Sequence, residues 1–275
     1  FKPAILTRGY GGKSKKPVNV VCDGKEILLS PEWVGDEAVM MAEKLKNVPI
    51  LTGPDRFQTG RYALKNYEID TLILDDGFQH LALCRDLDIL LCDHQRPLGN
   101  NHLFPAGELR EPASETRRAD MVCFTRYSGG GIKFSPKFLS SIPQIKTHLR
   151  LDSIINMENG DVCDAEVLKC QPVIAFCGIA NPEGFRQILQ DVQVQLKMFK
   201  AFPDHHEYSL NDIKELESIA SQEGVKFILV SEKDAVKLKN MKLSLPFFKV
   251  VIDLEILEGR EIFNKKITTT SRGDN

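Results

Sequence analysis

The sequence predicts an α/β protein of two units: a parallel-sheet domain, and a second, smaller α/β domain joined to it by a two-stranded β linker. Three observations carry that prediction. Short apolar runs at 4–6, 71–74, 89–92, 121–125 and 173–177 do not alternate with polar residues, as expected of parallel strands covered on both faces. Helical patterns stand between several of these runs. The length, 275 residues, makes two cores of ordinary size at ~150 residues per domain.

Taken in order, 4–6 reads as a strand. Residues 18–21 and 26–29 flank Cys22-Asp23-Gly24-Lys25, which predicts a hairpin turning at Asp23-Gly24. Val34, Ala38, Met41, Ala42 and Leu45 recur at helical spacing, with Asp36 and Glu37 in the first turn, where carboxylates complement the helix dipole. A second helix is predicted over 55–66, followed by strands at 71–74 and 89–92. From 93 to 118, Pro97, Gly99, Pro105, Gly107 and Pro112 break any periodicity, and an irregular stretch of that length is usually functional or disordered. A strand at 121–125 and a flexible loop at Ser128-Gly129-Gly130-Gly131 come next. Residues 148–168 read as a hairpin turning at Asn159-Gly160, taken as the inter-domain connection. The second unit has strands at 173–177, 194–199, 227–230 and 248–252. Its helices start near Pro182 and near Ser209, where Ser209 with Asp212 resembles a capping box. A polar, frayed tail follows Ile262. The boundaries so drawn are a first domain at 1–146, a linker at 147–170, a C-terminal domain at 171–264 and a tail at 265–275.

At 42% apolar and 27% charged, the composition is that of a globular protein. A net charge of −2 gives no reason to expect a nucleic-acid partner. No apolar run approaches the ~18–20 residues of a membrane span. The seven cysteines are odd in number and include no C-x-x-C pair. They predict buried, reduced thiols rather than a disulfide framework or a zinc site.

Several segments carry chemistry. Asp75 and Asp76 end an apolar strand, where ligands bind in doubly wound sheets. Two adjacent carboxylates repel unless a cation or hydrogen bonds compensate, and Mg²⁺ with a nucleotide phosphate is a common solution. A solvated Asp-Asp-Gly turn is the plainer account. Asp204-His205-His206, between a strand and a helix, suits a metal or an acid/base pair as well as an ordinary surface pair. The segment from Arg8 to Lys13 reads as an anion-binding loop or a solvated basic one. Gly12-Lys13-Ser14 is not a Walker A, because Thr7 stands where that motif needs a glycine. The punctuated segment 105–112 holds an Arg110-Glu111 pair and could also be a structural loop. Ser231-Glu232-Lys233-Asp234 follows a strand and reads as a solvated turn.

The order of these strings is distinctive. Thr7-Arg8-Gly9-Tyr10-Gly11, Val34-Gly35-Asp36-Glu37, Asp75-Asp76-Gly77-Phe78-Gln79-His80 and Pro105-Ala106-Gly107 with Leu109-Arg110-Glu111-Pro112 follow one another. Later come Gly178-Ile179-Ala180-Asn181-Pro182, Phe202-Pro203-Asp204-His205-His206 and Ser231-Glu232-Lys233-Asp234-Ala235-Val236-Lys237. Together, over about residues 4–240, they resemble the tetraacyldisaccharide 4′-kinase family. That resemblance implies a P-loop-NTPase-like sheet domain and transfer of the ATP γ-phosphoryl group to the 4′-hydroxyl of an acylated glucosamine disaccharide 1-phosphate, with Mg²⁺. It implies residence on the cytoplasmic face of the bacterial inner membrane. It makes Asp36 with His205 the base, across the two domains and so assembled on closure. It places Asp75 and Asp76 at Mg²⁺ and the phosphates. It places Arg8, Tyr10, Arg56, Gln79, His80, Arg110 and Glu111 around the substrates. The family's Gly-rich phosphate loop and membrane helix precede the matched segment, so the chain as given is expected to be inactive alone. Normal turnover from it would contradict that. Two rivals keep part of the pattern: a DHH-type metal-dependent phosphoesterase using Asp204-His205-His206 with Asp75 and Asp76, and a non-catalytic nucleotide-binding module.

Overall fold

The computed structural model describes residues 1–127, 129, 139, 141–239 and 241–271. Two compact units are present, Phe1–Asp75 with Leu151–Asp253, and Asp76–Arg150 with Leu254–Asn275. The boundary expected near 146 and the sequential order of domains are not what the chain adopts. The first unit is discontinuous, because the 1–75 segment packs with residues from the second half of the chain rather than with 76–150.

The first segment forms β1 (Pro3–Thr7), β2 (Asn19–Asp23), the single-turn α1 (Pro31–Val34), α2 (Asp36–Lys44), β3 (Pro49–Thr52), α3 (Arg56–Asn66) and β4 (Thr71–Leu74). Their sheet runs β2-β3-β1-β4, with β1 parallel to β3 and β4 and with β2 antiparallel. The unbroken apolar run Ala4-Ile5-Leu6 is explained by this central place: one face meets Val34, Ala38 and Val39, the other Ala63. Asp55 caps α3 by accepting from the amides of Phe57 and Gln58, which stops the backbone from continuing as β3. The hairpin expected after β2 keeps its turn, but its second arm is reduced to a bridge between Cys22 and Ile27. β2 pairs with β3 instead.

In the other unit β5 (Ile89–Asp93), β6 (Met121–Thr125) and the start of β7 (Gln144–Asn156) are parallel neighbours. Of the expected loop at 128–131, only Gly129 lies within the described residues.

The chain then returns to the first unit through β8 (Val162–Asp164), antiparallel to β7, then β9 (Pro172–Cys177), α4 (Pro182–Asp191), β10 (Gln195–Ala201), α5 (Leu210–Gln222), β11 (Ile228–Ser231), α6 (Glu232–Leu238) and β12 (Phe247–Glu258). The strands β10-β9-β11-β12 are parallel. The turn at Asn159-Gly160 and the capping box of Ser209 with Asp212 are present as expected. Ile174, Phe176, Ile213, Leu216, Ile228, Val230 and Phe247 form the core here. The strands β7 and β12 each contribute residues to both units.

Two helices depart from the sequence reading. The expected tail contains α7 (Arg260–Ser271), anchored where Phe263 packs on Met121, Cys123 and Ile145. One aromatic anchor leaves little periodic signal. The expected turn after β11 is α6. The cysteines are free, and burial pushes the Cys177 thiol up to about 12.

Candidate active site

The loop after β1 is shaped by its glycines. Gly9 and Gly11 have φ of 75° and 78°, in the left-handed region that glycine enters without strain. A Cβ on Gly12 would lie 2.5 Å from the carbonyl oxygen of Trp33, and one on Gly35 2.3 Å from that of Tyr10. The loop therefore lies directly on the α1–α2 junction. The amides of Lys13 and Ser14 donate to the carbonyls of Glu32 and Trp33 at 2.9 and 3.0 Å and stitch the two together. This contact fixes where α2 begins, and Asp36 is its first residue.

Asp36 is 5% exposed, unusually low for a carboxylate. Both of its carboxylate oxygens lie 3.1 Å from His205 Nδ1. Lys237 Nζ sits 3.1 Å from Oδ2, and the Glu37 amide donates to Oδ1 at 3.1 Å. Burial pushes the Asp36 carboxyl up, but the ammonium of Lys237, then Lys233 and His205, outweigh it and hold the group below the usual carboxylate range. A carboxyl depressed on folding stabilises the fold above its unfolded value of about 3.9 and loses that contribution as pH falls through the lower folded value. Asp36→Asn should therefore unfold with a weaker dependence on pH below about 4 than the unaltered protein, checked by urea titration at several acidic pH values.

His205 reaches the carboxylate from the loop after β10. Its amide donates to the Gly178 carbonyl at 3.2 Å and to Asp204 Oδ1 at 3.0 Å, with φ of 60°. Its ring lies 5.3 Å from that of Tyr10, which is exposed. His205 Nε2 is 3.3 Å from Lys233 Nζ, which also bridges Glu37 and Asp204 at 3.0 Å each. An ammonium opposite Nε2 requires the lone pair there. Assigned from this geometry, the ring carries its proton on Nδ1 and donates it to Asp36. Asp36 and His205 belong to one compact unit and are already paired. The expectation that domain closure assembles them is overturned, because 1–75 and 151–253 share that unit.

Neighbouring His206 turns elsewhere. It stacks on Phe202 at 4.6 Å, and its Nε2 lies 3.3 Å from Asp212 of the α5 cap. The Asp-His-His string does not converge on one point, and among the described residues no group of three His, Cys, Asp or Glu side chains could hold a metal. The two imidazoles face different carboxylates, whereas the phosphoesterase alternative needs them at one centre.

Asp75 and Asp76 have different surroundings. Asp75 continues the β1–β4 ladder, its amide donating to Leu6 at 2.9 Å, and its Oδ2 accepts from Thr7 Oγ1 at 2.9 Å. A carboxylate beside a hydroxyl at the carboxyl ends of parallel strands offers oxygen donors only. This fits Mg²⁺, which is bound through one or two carboxylates with the rest supplied by water and phosphate. Asp76, with φ of 49°, is engaged by Arg110 at 2.7 and 2.9 Å. In the same unit Gln79 donates to Glu111 at 2.9 Å, and Arg118 grips Glu111 at 2.9 and 3.0 Å while lying over the Phe78 ring at 4.6 Å. The strings around 76–80 and 109–111 thus meet. His80 closes the turn, its amide bonded to the Gly77 carbonyl at 2.9 Å. Arg8 is exposed. Arg56 is 4% exposed, and its guanidinium donates to the carbonyls of Gly53 and Pro54.

Lys237 and Arg118 carry site contacts that the sequence reading did not single out. Arg118 sits in a stretch with no pattern. Lys237 had a signal: Ser231 three residues before Asp234 is the start of a capped helix, and Ser231 Oγ does cap α6 through the Asp234 amide. A helix there carries Lys233 and Lys237 on one face.

The family model for tetraacyldisaccharide-1-P 4′-kinase matches residues 1–271. The chain belongs to this family. Tetraacyldisaccharide 4′-kinases of Syntrophus aciditrophicus and Desulfotalea psychrophila are 40% and 38% identical to it, over 93% and 90% of this chain and 72% of each relative. The crystal structure of the kinase LpxK from Aquifex aeolicus, described as an "apo" form in complex with ATP, superposes with a TM-score of 0.78 at 32% identity, covering 98% of this chain and 79% of that one. The parallel α/β architecture expected from the sequence is the kinase fold of that structure.

Proposed function

We infer that this chain is the ATP-dependent kinase that phosphorylates the 4′-hydroxyl of tetraacyldisaccharide 1-phosphate, a step of lipid A biosynthesis. The family match gives the reaction, and the pairing of Asp36 with His205 carries the assignment of the base. A sugar hydroxyl is a weak nucleophile at neutral pH and needs a positioned acceptor for its proton. With Nδ1–H given to Asp36, His205 takes that proton at Nε2. The hydroxyl oxygen bonds to the γ-phosphorus, the bond from that phosphorus to the β–γ bridging oxygen breaks, and ADP leaves with the electron pair. Mg²⁺, when bound, would neutralise charge on the phosphates, and Asp75, backed by Thr7, would hold it. Asp76 and Arg110 form an ion pair that phosphate oxygens can open, Arg110 turning to the phosphate and Asp76 to the cation bound with it. Tyr10, on the loop over α2, lies against the base ring, and Arg8 is exposed on the same loop. Arg8, Gln79, His80 and Glu111 are the further polar residues this reading assigns to the substrates. Arg56 holds the carbonyls of Gly53 and Pro54 in the loop from β3 into α3.

The acylated substrate places the reaction at a bilayer surface, and we extend the reading to the cytoplasmic face of the inner membrane. Among the described residues no helix is long and apolar enough to cross a membrane.

The test is transfer of ³²P from γ-labelled ATP to tetraacyldisaccharide 1-phosphate, with Mg²⁺, by the enzyme expressed from its complete gene. Label in a lipid product is expected. Its absence, with ATP bound, would favour the non-catalytic module.

A further inference from the structure

Lys237 has no part in the chemistry derived so far, yet it is the cation closest to Asp36. It lies in the last turn of α6 and is 14% exposed. Three oxygens hold its ammonium: Asp36 Oδ2 at 3.1 Å, Asp234 Oδ1 at 3.2 Å and the carbonyl of His206 at 3.2 Å. Asp234 is itself 0% exposed and fixed by the Gly178 amide at 2.7 Å and by Ser231 Oγ. Gly178 in turn accepts from the His205 amide. Lys237 therefore touches, on one side, the carboxylate that orients the base. On the other it touches the buried carboxylate that anchors the end of β9, whose Gly178 carbonyl accepts from the His205 amide.

We propose that Lys237 is a positioning residue of the kinase reaction, holding Asp36 as an anion in the orientation from which it receives the His205 Nδ1 proton. The inference rests on the kinase reading and deepens it. Without a cation at that place, a carboxylate this buried would shed its charge, and a protonated Asp36 no longer draws Nδ1–H toward itself. His205 would then be free to turn or to change tautomer, and the lone pair at Nε2 would be lost from the acceptor hydroxyl.

Around Asp36, Lys237 and Lys233 come from α6. The loop after β10 brings His205, and Asp204 is held by Lys233. On its own helix Glu37 is taken up by Lys233. α1 carries Glu32, bound to Lys13. β2 carries Asp23, whose carboxylate accepts the amides of Lys25 and Glu26. β3 has no ionisable side chain. Lys233 is the second cation, but its contacts are to Glu37, Asp204 and His205, so Lys237 is the one bonded to Asp36.

The experiment compares Lys237→Met and Lys237→Arg with the unaltered enzyme, expressed from the complete gene, in the phosphate-transfer assay. For Lys237→Met, kcat is expected to fall about tenfold or more with KM for ATP and lipid within about twofold. The acidic limb of the kcat/KM profile should move up by about one pH unit or more. Lys237→Arg, which keeps the charge, should return the limb to its original position. In an Asp36→Asn background, adding Lys237→Met should cost less than about twofold, because the lysine acts through Asp36. Because Lys237→Met strands buried Asp234 and could fail to fold, the pair Lys237→Met/Asp234→Asn carries the same readouts alongside it. An unmoved acidic limb, a loss confined to KM, or an undiminished cost in the Asp36→Asn background would each overturn the proposal. Failure of the unaltered enzyme to phosphorylate the lipid would instead overturn the kinase reading, which keeps the two apart.

Discussion

His205→Ala is expected to lower kcat for phosphate transfer by about 10²–10⁴-fold, with KM for ATP changed little. Among the described residues in contact with Asp36, the ring is the group that can both donate at one nitrogen and accept at the other. A carboxylate held by Lys237 and the Glu37 amide, and pushed below the usual carboxylate range, is a poor proton acceptor by itself. Removing the imidazole leaves the hydroxyl without a base of suitable strength, whereas the phosphate contacts are untouched. His206→Ala is the informative control. That ring stacks on Phe202 and reaches the α5 cap, so its loss should appear in stability and leave the rate near normal. Rapid-quench measurement of single turnovers, with urea unfolding of both variants, separates the two outcomes. A His205→Ala enzyme with near-normal turnover would remove His205 from the chemistry.

Phe176→Ala should destabilise the protein by about 3–5 kcal/mol, read as a lowered urea midpoint. Phe176 is 0% exposed on β9, and its ring meets those of Phe202, Tyr208 and Phe247 edge-on at 6.0, 5.3 and 6.1 Å. Truncation removes the apolar burial and the edge-to-face contacts together and leaves a cavity that the packed side chains around it cannot fully close. The same ring lies directly behind the Cys177–Gly178 strand end that bonds Asp234 and the His205 loop. Loss of stability should therefore come with loosened catalytic geometry, and Phe176→Leu, which keeps most of the volume, should cost much less in both.

The strands were legible as unbroken apolar runs, which at 4–6 and 173–177 are buried on both faces, although Leu91 in the run at 89–92 is exposed. Helices α2, α3, α4 and α5 were legible from caps and spacing. Two kinds of feature were not. α6 has only seven residues, with Ala235, Val236 and Leu238 buried, too few for a period to emerge. The pairing of Asp36 with His205 was expected, but as a contact made on closure. Nothing local at either residue encodes that the 1–75 segment folds with 151–253. Arg56, placed at the substrates by the resemblance alone, is buried at the start of α3, and its guanidinium donates to the carbonyls of Gly53 and Pro54. Asp75 and Asp76 read as one acidic pair, whereas the backbone at Asp76 turns left-handed and hands it to Arg110.

The interrupted first unit has a consequence for biosynthesis. A nascent chain that has delivered Asp36 must wait for His205 and then Lys237, roughly 200 residues later, or on the order of 10–40 s at ~5–20 residues per second. During that interval β1 to β4 are present without α6, and Val236, which packs into the same core as Val34, Ala38 and Ile50, is missing. Helix α2 then exposes an incomplete apolar face beside an unpaired acidic residue. The ribosome-bound intermediate should thus be a client for chaperones at an early stage, and any message truncated before the codon for His205 yields a polypeptide in which the base cannot be assembled.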